Sequence, residues 1–293
     1  MSTWNIADIP SQSGRTVIVT GANSGLGRAT TAALAAAGAR VVMAVRDVTR
    51  GEQAAAAIAG KTEVRELDLA DLASVRRFAA GWSEPIDVLV NNAGVMAVPE
   101  ASTIDGFEMQ FGTNHLGHFA LTNLLLPQVT DRVVNLASMA HRFGEIVLED
   151  LNWKSRPYKP WAAYGQSKLA NLLFTLELER RLELDHSCVR AFASHPGYAA
   201  TNLSAHSGSN VMTQLMRVFS LVAQSEEMGA LPTLYAATQD LPGASYIGPD
   251  GLGGWRGHPA LASRSTSASN VTMAKKLWDI SEEMTEVTYP ALA

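Results

Sequence analysis

Tyr164 and Lys168 are the pair whose side-chain types and spacing most directly indicate chemistry. They stand four positions apart in YGQSK, so on a helix they lie on one face. A free phenol has a pKa of about 10, but a nearby ammonium and a positively charged oxidised nicotinamide favour the phenolate and lower that pKa. We therefore predict that Tyr164 exchanges a proton with a substrate. The spacing alone is weak evidence, because Lys follows Tyr at this distance on many exposed helices.

A glycine-rich segment, TGANSGLGRA at residues 20–29, follows a predicted strand and opens a predicted helix. Glycines in such a turn let backbone N–H groups and the helix N-terminus face a phosphate. Three residues separate the first two glycines instead of one, and a plain turn is the alternative interpretation. The segment predicts a dinucleotide site lined by Gly21, Asn23, Ser24, Gly25, Leu26 and Gly27.

The end of the second predicted strand indicates which dinucleotide binds. An acidic residue there takes the ribose hydroxyls of NAD, whereas an arginine suits the 2′-phosphate of NADP. Here Val45 holds the position of the acid and Arg46 follows it. NADP(H) is the predicted cofactor. The alternative is that Arg46 is a solvated loop residue, with Asp47 beside it.

Short β-branched runs alternate with longer Ala/Leu-rich stretches, which predicts parallel strands connected by helices. The sequence favours one α/β domain over residues 1–293, a doubly wound Rossmann fold with a seven-stranded, mainly parallel sheet. Its core covers about residues 14–195, and a substrate lid region covers about 196–230. The predicted strands are 15–20, 40–45, 63–67, 86–92, 132–138, 188–193 and 244–247, and the main helices are 25–37, 71–81, 103–126 and 162–184.

Composition limits the class of protein. Apolar residues make up 47% of the chain and charged residues 17%, which is typical of a globular protein. The net charge of -5 gives no basic excess for nucleic acid. Cys188, the single cysteine, is predicted to be a buried thiol in a strand. Without a visible signal peptide or long apolar run, we expect a cytoplasmic protein with no stable membrane anchor.

Together with NNAG at 91–94 and a serine at the end of the fifth strand, these motifs resemble the short-chain dehydrogenase/reductase superfamily from about Gly14 to the C-terminus. The resemblance implies a hydride transfer between a nicotinamide and a carbonyl or alcohol. In it, Ser138 would hold the substrate oxygen and Tyr164 would give or take its proton. Lys168 would bind the nicotinamide ribose and tune Tyr164, and Asn114 would keep a water in the proton relay.

The resemblance also implies further cofactor contacts. Asp68 would read the adenine amino group, and the turn of Pro196 and Gly197 with Thr201 would hold the carboxamide. The residues implied are Asp68, Leu69, Asn92, Ala93, Gly94, Tyr164, Lys168, Pro196, Gly197 and Thr201. His115 and His118 could suggest a metal, but with no third ligand in view we expect packing positions and no metal.

The separation between Ser138 and Tyr164 points to one branch of the superfamily. The 25 residues between them are more than is usual there, and EDLNWKSRPYKPWAAYGQSKLAN resembles the retinol-dehydrogenase-like branch, which includes protochlorophyllide-reductase-like members. MAVRDVTRGE and GPDGLGGWRGHP strengthen that resemblance. It implies an apolar small-molecule substrate and NADP. Family members often pair through the helices that carry Asn114 and Tyr164, as a homodimer or homotetramer.

Two alternatives stay open at this point. Residues 211–223 carry an apolar stripe with helical spacing that suits a lid, an ordinary core helix or a shallow membrane contact. A non-catalytic NADP(H) sensor could keep the glycine turn without proton transfer. The full set of Asn114, Ser138, Tyr164 and Lys168 favours an enzyme, since a sensor needs no such group of chemical side chains.

Overall fold

A single twisted sheet with helices on both faces organises the chain. The computed structural model describes residues 3–198 and 224–292. In chain order the strands are β1 Thr16–Thr20, β2 Arg40–Val45, β3 Lys61–Glu66, β4 Ile86–Asn91, β5 Val129–Leu136, β6 Arg190–Ser194, β7 Tyr246–Pro249 and β8 Pro259–Leu261. The central strands β1, β2 and β4 are rich in Val and Ile and almost fully buried, because helices cover both faces of a parallel sheet.

The strand order is β3-β2-β1-β4-β5-β6-β7-β8. Neighbours from β3 to β7 pair in parallel, and β8 adds to the edge in antiparallel orientation. The predicted α/β Rossmann fold is confirmed, but the sheet has eight strands where the sequence predicted seven. The missed strand is three residues long and begins with Pro259, and so short a segment carries no readable alternation.

Helices fill the connections between the strands. They are α1 Gly25–Ala36, α2 Val48–Ala56, α3 Leu72–Ala80, α4 Met109–Phe111, α5 Gly117–Leu125, α6 Pro160–Leu184, α7 Glu226–Thr238 and α8 Val271–Thr285. A π-helical turn, Gly112–Leu116, joins α4 to α5. Proline at the first position of α6 explains why this helix begins two residues earlier than predicted.

Two apolar layers sandwich the sheet. On one face, Leu34 of α1 and Leu234 of α7 pack against β1, β2 and β4. On the other face Trp278 of α8 packs against the rings of Phe119 and Phe174, with centroids 4.9 and 5.6 Å away. The C-terminal helix therefore covers one side of α5 and α6, the helices through which the resemblance implied pairing.

Three sequence-based expectations concern Cys188, membrane-spanning helices and the apolar stripe at 211–223. Cys188 is exposed, so its prediction as a buried strand residue is wrong. The chain turns after α6, with His186 in the left-handed region at φ 53°, and the strand begins only at Arg190. No helix in the described ranges is long and apolar enough to span a bilayer. The stripe at 211–223 lies outside the described residues.

Candidate active site

The reversal of strand order between β1 and β4 marks the edge where the predicted site residues meet. From β1 the sheet continues to β2 and β3 in one direction, and from β4 to β5 and β6 in the other. Ligands of open α/β sheets bind at such a switch point, beyond the carboxyl ends of the strands. The glycine turn follows β1, and the candidate catalytic serine follows β5. Parallel pairing thus brings these segments to one edge.

The turn after β1 forms a narrow space, here called the glycine cradle, in which added side chains would clash with neighbouring atoms. Gly21 and Gly25 have positive φ, 64° and 53°. A Cβ on Gly27 would lie 2.4 Å from the carbonyl oxygen of Gly21, and one on Gly21 would lie 3.0 Å from Ala93. Ser24, at the N-cap of α1, makes no side-chain capping bond, and the first turn of α1 holds no acidic residue. The backbone N–H groups of this turn, including those of Leu26 and its neighbours, suit an anion.

A buried hydrogen-bond network locks the loop after β4 to the end of β1. Thr20 Oγ1 accepts from the backbone N–H groups of Asn92 and Ala93, each at 2.9 Å. The Asn92 side chain donates to the Thr20 carbonyl at 2.7 Å. His118 Nε2 lies 2.9 Å from the same hydroxyl. Sequence reasoning placed Asn92 and Ala93 at the site but missed Thr20, although it directly precedes the first glycine.

The end of β2 carries one free guanidinium. Arg46 is exposed and makes no hydrogen bond or ion pair with any residue the structure describes. The neighbouring Asp47 caps α2 by accepting from the Arg50 backbone N–H at 3.0 Å. The side chain of Val45 is buried against the position of Gly51. Arg46 is therefore available to a ligand anion, while the Asp47 carboxylate is committed to the helix.

The loop after β3 contains Asp68, the predicted adenine contact, and the adjacent Leu69. Asp68 is partly buried, and its carboxylate accepts from the Ala70 backbone N–H at 2.9 Å. Leu69 is buried, and a Cβ on Gly117 would lie only 2.4 Å from its carbonyl oxygen. The loop thus packs directly against the start of α5. The Asp68 carboxylate already accepts a hydrogen bond within its own turn.

Tyr164 and Lys168 lie one turn apart on α6, and both are buried. The Lys168 ammonium lies 5.7 Å from the centre of the Tyr164 ring and donates to the Leu136 carbonyl at 3.0 Å. The side chain of Ser138 lies near the Tyr164 hydroxyl and lowers the pKa of that phenol. The structure thus brings three of the four predicted catalytic side chains to the carboxyl end of β5.

Burial sets the protonation of this pair in the protein alone. It raises the pKa of Tyr164 to about 12, and the nearby Ser138 side chain partly offsets that rise. Burial also lowers the pKa of Lys168 to about 8. The sequence suggested that Lys168 and an oxidised nicotinamide together lower the pKa of Tyr164. In the protein alone, desolvation of the phenolate is the largest effect on this phenol.

Asn114, the fourth predicted catalytic residue, lies in the π-helical turn Gly112–Leu116 and is fully buried. Its side chain accepts from the Val95 N–H at 2.8 Å and donates to the Val95 carbonyl at 2.9 Å and to Ser167 Oγ at 2.9 Å. A Cβ on Gly94 would lie 3.0 Å from Asn114 Oδ1 and 3.6 Å from Lys168 Nζ. The Asn114 amide therefore fastens the loop after β4 to α6.

The two histidines near Asn114 are neutral, because burial lowers the pKa of His115 to about 3 and of His118 to about 4. His118 Nδ1 donates to the Asn114 carbonyl at 3.0 Å, and so joins that residue to Thr20. His115 Nε2 lies 3.0 Å from Ser281 Oγ. Within residues 3–198 and 224–292, no cluster of three or more His, Cys, Asp or Glu side chains is arranged for a metal.

The turn after β6 packs against the loop near Trp255. Gly197 has φ 68°, and a Cβ there would lie 2.4 Å from the Trp255 carbonyl oxygen. The Pro196 carbonyl accepts from the side chain of Gln224 at 2.5 Å. Pro196 and Gly197 thus occupy a rigid turn at the same sheet edge, whereas Thr201 lies outside the described residues.

Two large, exposed aromatic side chains lie near Tyr164. Phe143 is 57% exposed, and its ring contacts the position of Gly165. Trp161 is 40% exposed, and its ring centroid lies 6.1 Å from that of Tyr164 in an edge arrangement. Exposed aromatic residues beside a buried phenol indicate an apolar rim around the candidate site.

Comparisons with known proteins agree with this geometry. The family model described as short chain dehydrogenase matches residues 15–211. Retinol dehydrogenase 13 of Homo sapiens is 44% identical over 95% of this chain and 87% of its own length. The crystal structure of an uncharacterised protein from Mycobacterium paratuberculosis is 56% identical, with a TM-score of 0.88 over 99% of this chain and 100% of that one. A second structure, from Beutenbergia cavernae, is described as a candidate NAD(P)-dependent gluconate 5-dehydrogenase with NADP bound at low occupancy. It is 26% identical, with a TM-score of 0.57 over 78% of this chain and 91% of that one.

Proposed function

This chain belongs to the short-chain dehydrogenase family, and from that premise we propose that it is an NADP-dependent oxidoreductase acting on an apolar carbonyl or alcohol. The retinol-dehydrogenase-like branch expected from the sequence is confirmed by its curated relatives. The observation that carries the proposal is the buried phenol of Tyr164 with the Lys168 ammonium 5.7 Å from its ring centre, at the sheet edge where Ser138 follows β5.

The residues at the sheet edge fit a dinucleotide. The cradle at Gly21 and Gly27 admits backbone but no side chain, and the α1 N-terminus above it carries no capping side chain. Lys168 is buried and donates to one backbone carbonyl, so two of its three N–H donors remain for ribose hydroxyls. When bound, the nicotinamide would supply or accept the hydride.

The preference for NADP over NAD rests on the end of β2. Arg46 is exposed and free of protein partners in the described part of the chain, so its guanidinium can form paired hydrogen bonds with a phosphate. Val45 has no carboxylate to bind ribose hydroxyls or to repel that phosphate. The Beutenbergia cavernae structure, which has NADP bound, supports the same assignment.

In the direction of carbonyl reduction, the protein's part of the reaction is to hold the substrate oxygen and to protonate it. Ser138 would donate a hydrogen bond to that oxygen, and Tyr164 would give it a proton as the carbonyl carbon takes the hydride. With a pKa of about 12, Tyr164 carries its proton at neutral pH. The positive charge of Lys168 would stabilise the tyrosinate that remains. Alcohol oxidation uses the same groups in reverse.

The apolar rim supports the substrate class. Phe143, which contacts the position of Gly165, and Trp161, whose ring meets that of Tyr164, are both exposed near the phenol, where the part of the substrate next to its reacting oxygen would lie. Such surfaces favour hydrocarbon over hydroxylated substrates by about 25 cal/mol per Å² buried. Retinol, in the name of the human relative, is an alcohol of this apolar class.

The test is loss of reduced-nicotinamide absorbance with NADPH and a carbonyl panel of all-trans-retinal, nonanal, benzaldehyde and glyceraldehyde. We expect turnover of the apolar members, little with glyceraldehyde, and a fall in kcat of roughly 10²-fold or more in Tyr164→Phe with the NADPH dissociation constant unchanged. Tyr235→Phe, on α7, is the matched control. NADPH binding without turnover of any carbonyl, or of the corresponding alcohols with NADP, would instead favour a cofactor sensor.

A further inference from the structure

A buried histidine outside the predicted catalytic set is bonded to the backbone of Ser138. His141 lies in the short 3-10 helix Met139–Phe143 that Ser138 caps, and it is 1% exposed. Its Nδ1 lies 2.7 Å from the Ser138 carbonyl oxygen. Its Nε2 lies 3.3 Å from the backbone nitrogen of Ser265, in the segment before α8. One imidazole thus bridges the candidate catalytic serine and the C-terminal part of the chain.

These partners fix the state of the ring. A carbonyl oxygen only accepts, so Nδ1 carries the hydrogen, and a backbone N–H only donates, so Nε2 is the acceptor. The ring is therefore neutral. Burial lowers the pKa of His141, and the positive charges of Arg142 and Arg264 lower it further. The other titratable groups beside it are Tyr246 and His195.

The helix that contains His141 rests directly on the catalytic turn of α6. A Cβ on Gly144 would lie 2.2 Å from the Gly165 carbonyl oxygen, and one on Gly165 would lie 2.9 Å from the Ala140 carbonyl oxygen. The backbone at the end of this helix is therefore in close contact with the backbone of α6 next to Tyr164. Small movements of this helix therefore shift the Ser138 hydroxyl, at its N-cap, relative to the Tyr164 phenol.

We propose that His141 is a positioning residue, whose hydrogen bond to the Ser138 carbonyl holds the Ser138 hydroxyl in line with Tyr164. The inference rests on the role proposed above for Ser138. His141 itself touches neither substrate nor cofactor. Its loss lowers the rate of the chemical step, because a misplacement of about 1 Å at a reacting group can cost 10²-fold in rate. It leaves the glycine cradle, and hence NADPH binding, unchanged.

Two conservative variants separate the two hydrogen bonds. In His141→Asn the amide nitrogen can take the place of Nδ1 and donate to Ser138, but the side chain is too short to reach Ser265. In His141→Gln the amide oxygen can take the place of Nε2 and accept from Ser265, but the donor to Ser138 is lost. Arg142→Ala is the matched control, because exposed Arg142 ties the same helix to Ser263, with two bonds at 3.0 Å, and not to Ser138.

The experiment measures kcat, KM and the NADPH dissociation constant with the panel carbonyl that the wild type turns over fastest. We expect His141→Ala and His141→Gln to lose roughly tenfold or more in kcat, His141→Asn to recover most of it, and Arg142→Ala to match the wild type. NADPH affinity stays constant throughout, which reports an intact fold. If His141→Ala does not fold, the comparison of Asn with Gln carries the test.

The controls separate failure of this inference from failure of the proposed function. Activity retained in Ser138→Ala would overturn the role of Ser138 itself. If Ser138→Ala is inactive while every His141 variant keeps the wild-type kcat, the positioning role of His141 is wrong. Equal losses in His141→Asn and His141→Gln would also overturn it, since the bond to Ser138 would then not be the one that matters.

Discussion

The Lys168 ammonium donates a 3.0 Å hydrogen bond to the backbone carbonyl of Leu136, at the carboxyl end of β5. It is 3% exposed and has no carboxylate partner in the described part of the chain. Asn171 donates to the same carbonyl, also at 3.0 Å. A buried cation held by one neutral acceptor is costly to the fold, and the cost is consistent with a charge kept for a ligand.

Lys168→Met should therefore stabilise the protein at pH 7. The pKa of this lysine falls from 10.5 to about 8 on folding, so folding works against its charged form. A pKa shift of that size suggests that the free energy of unfolding rises by roughly 1–3 kcal/mol when the charge is removed. The Leu136 carbonyl keeps Asn171 as a donor. Urea unfolding at pH 7 measures the gain, with the exposed Lys275→Met on α8 as control.

The lowered pKa of Lys168 also makes the stability of the wild type depend on pH. Between pH 8 and 10.5 the unfolded chain holds a proton on Lys168 that the folded chain has released, so wild-type stability rises through that window. The methionine variant lacks this contribution, and its advantage should shrink as the pH rises. A variant less stable than wild type at pH 7 would show that the ammonium has a counter-charge.

NADPH affinity should fall as the pH rises through about 8, where Lys168 loses its proton. The neutral amine offers fewer donors to ribose hydroxyls and no charge. Tyr164, with a pKa of about 12, does not titrate in this range. Fluorescence titration of NADPH at several pH values measures the effect. Lys168→Met should bind weakly and without that pH dependence, and an equally steep fall in the variant would assign the titration to another group.

Sequence predicted those parts of the site that depend on local chemistry. Glycines at Gly21 and Gly27 are required where backbone must approach backbone, so the motif between a predicted strand and a predicted helix located the cradle. Tyr164 and Lys168 share a helix, and their separation along the chain fixed their separation in space. The strands of the central sheet were readable because burial on both faces makes them continuously apolar.

What sequence missed depends on contacts between distant segments. His118 meets Thr20, and His141 meets Ser265, across 98 and 124 residues; no local pattern marks such pairs. Cys188 follows a helix end at which the chain turns before the strand begins, so its apolar neighbours were misleading. The raised pKa of Tyr164 was also not predicted, because it follows from burial of the phenol in the folded protein and not from the nearby lysine.

Gly27→Ala should impair both folding and cofactor binding. The added Cβ would lie 2.4 Å from the Gly21 carbonyl oxygen and 2.5 Å from the Asn92 amide nitrogen, and the first of these is backbone that cannot turn away. Overpacking of this kind costs about 1–3 kcal/mol. We expect a lower Tm and a large loss of NADPH affinity.

The matched control for this variant is Gly81→Ala, at the C-cap of α3. There φ is -80° and the nearest atoms to an added Cβ lie at 3.5 Å, an ordinary contact distance. Its Tm and NADPH affinity should stay near those of the wild type. If Gly27→Ala behaves like Gly81→Ala, the close approach between the glycine turn and the loop after β4 is not required.

The last prediction concerns cofactor choice and the free guanidinium at the end of β2. Arg46→Ala should lower kcat/KM for NADPH by roughly ten- to hundred-fold, because a charge-assisted hydrogen bond contributes about 1.5–3 kcal/mol. Use of NADH should change little, since NAD has no 2′-phosphate for the guanidinium to bind. Adding Val45→Asp should then improve NADH use, because a carboxylate at that position accepts from the ribose hydroxyls. The exposed Arg77→Ala on α3 controls for loss of one surface charge. Equal use of both cofactors by the wild type, or full NADPH efficiency in Arg46→Ala, would remove the basis for NADP dependence and leave the membership of the family untouched.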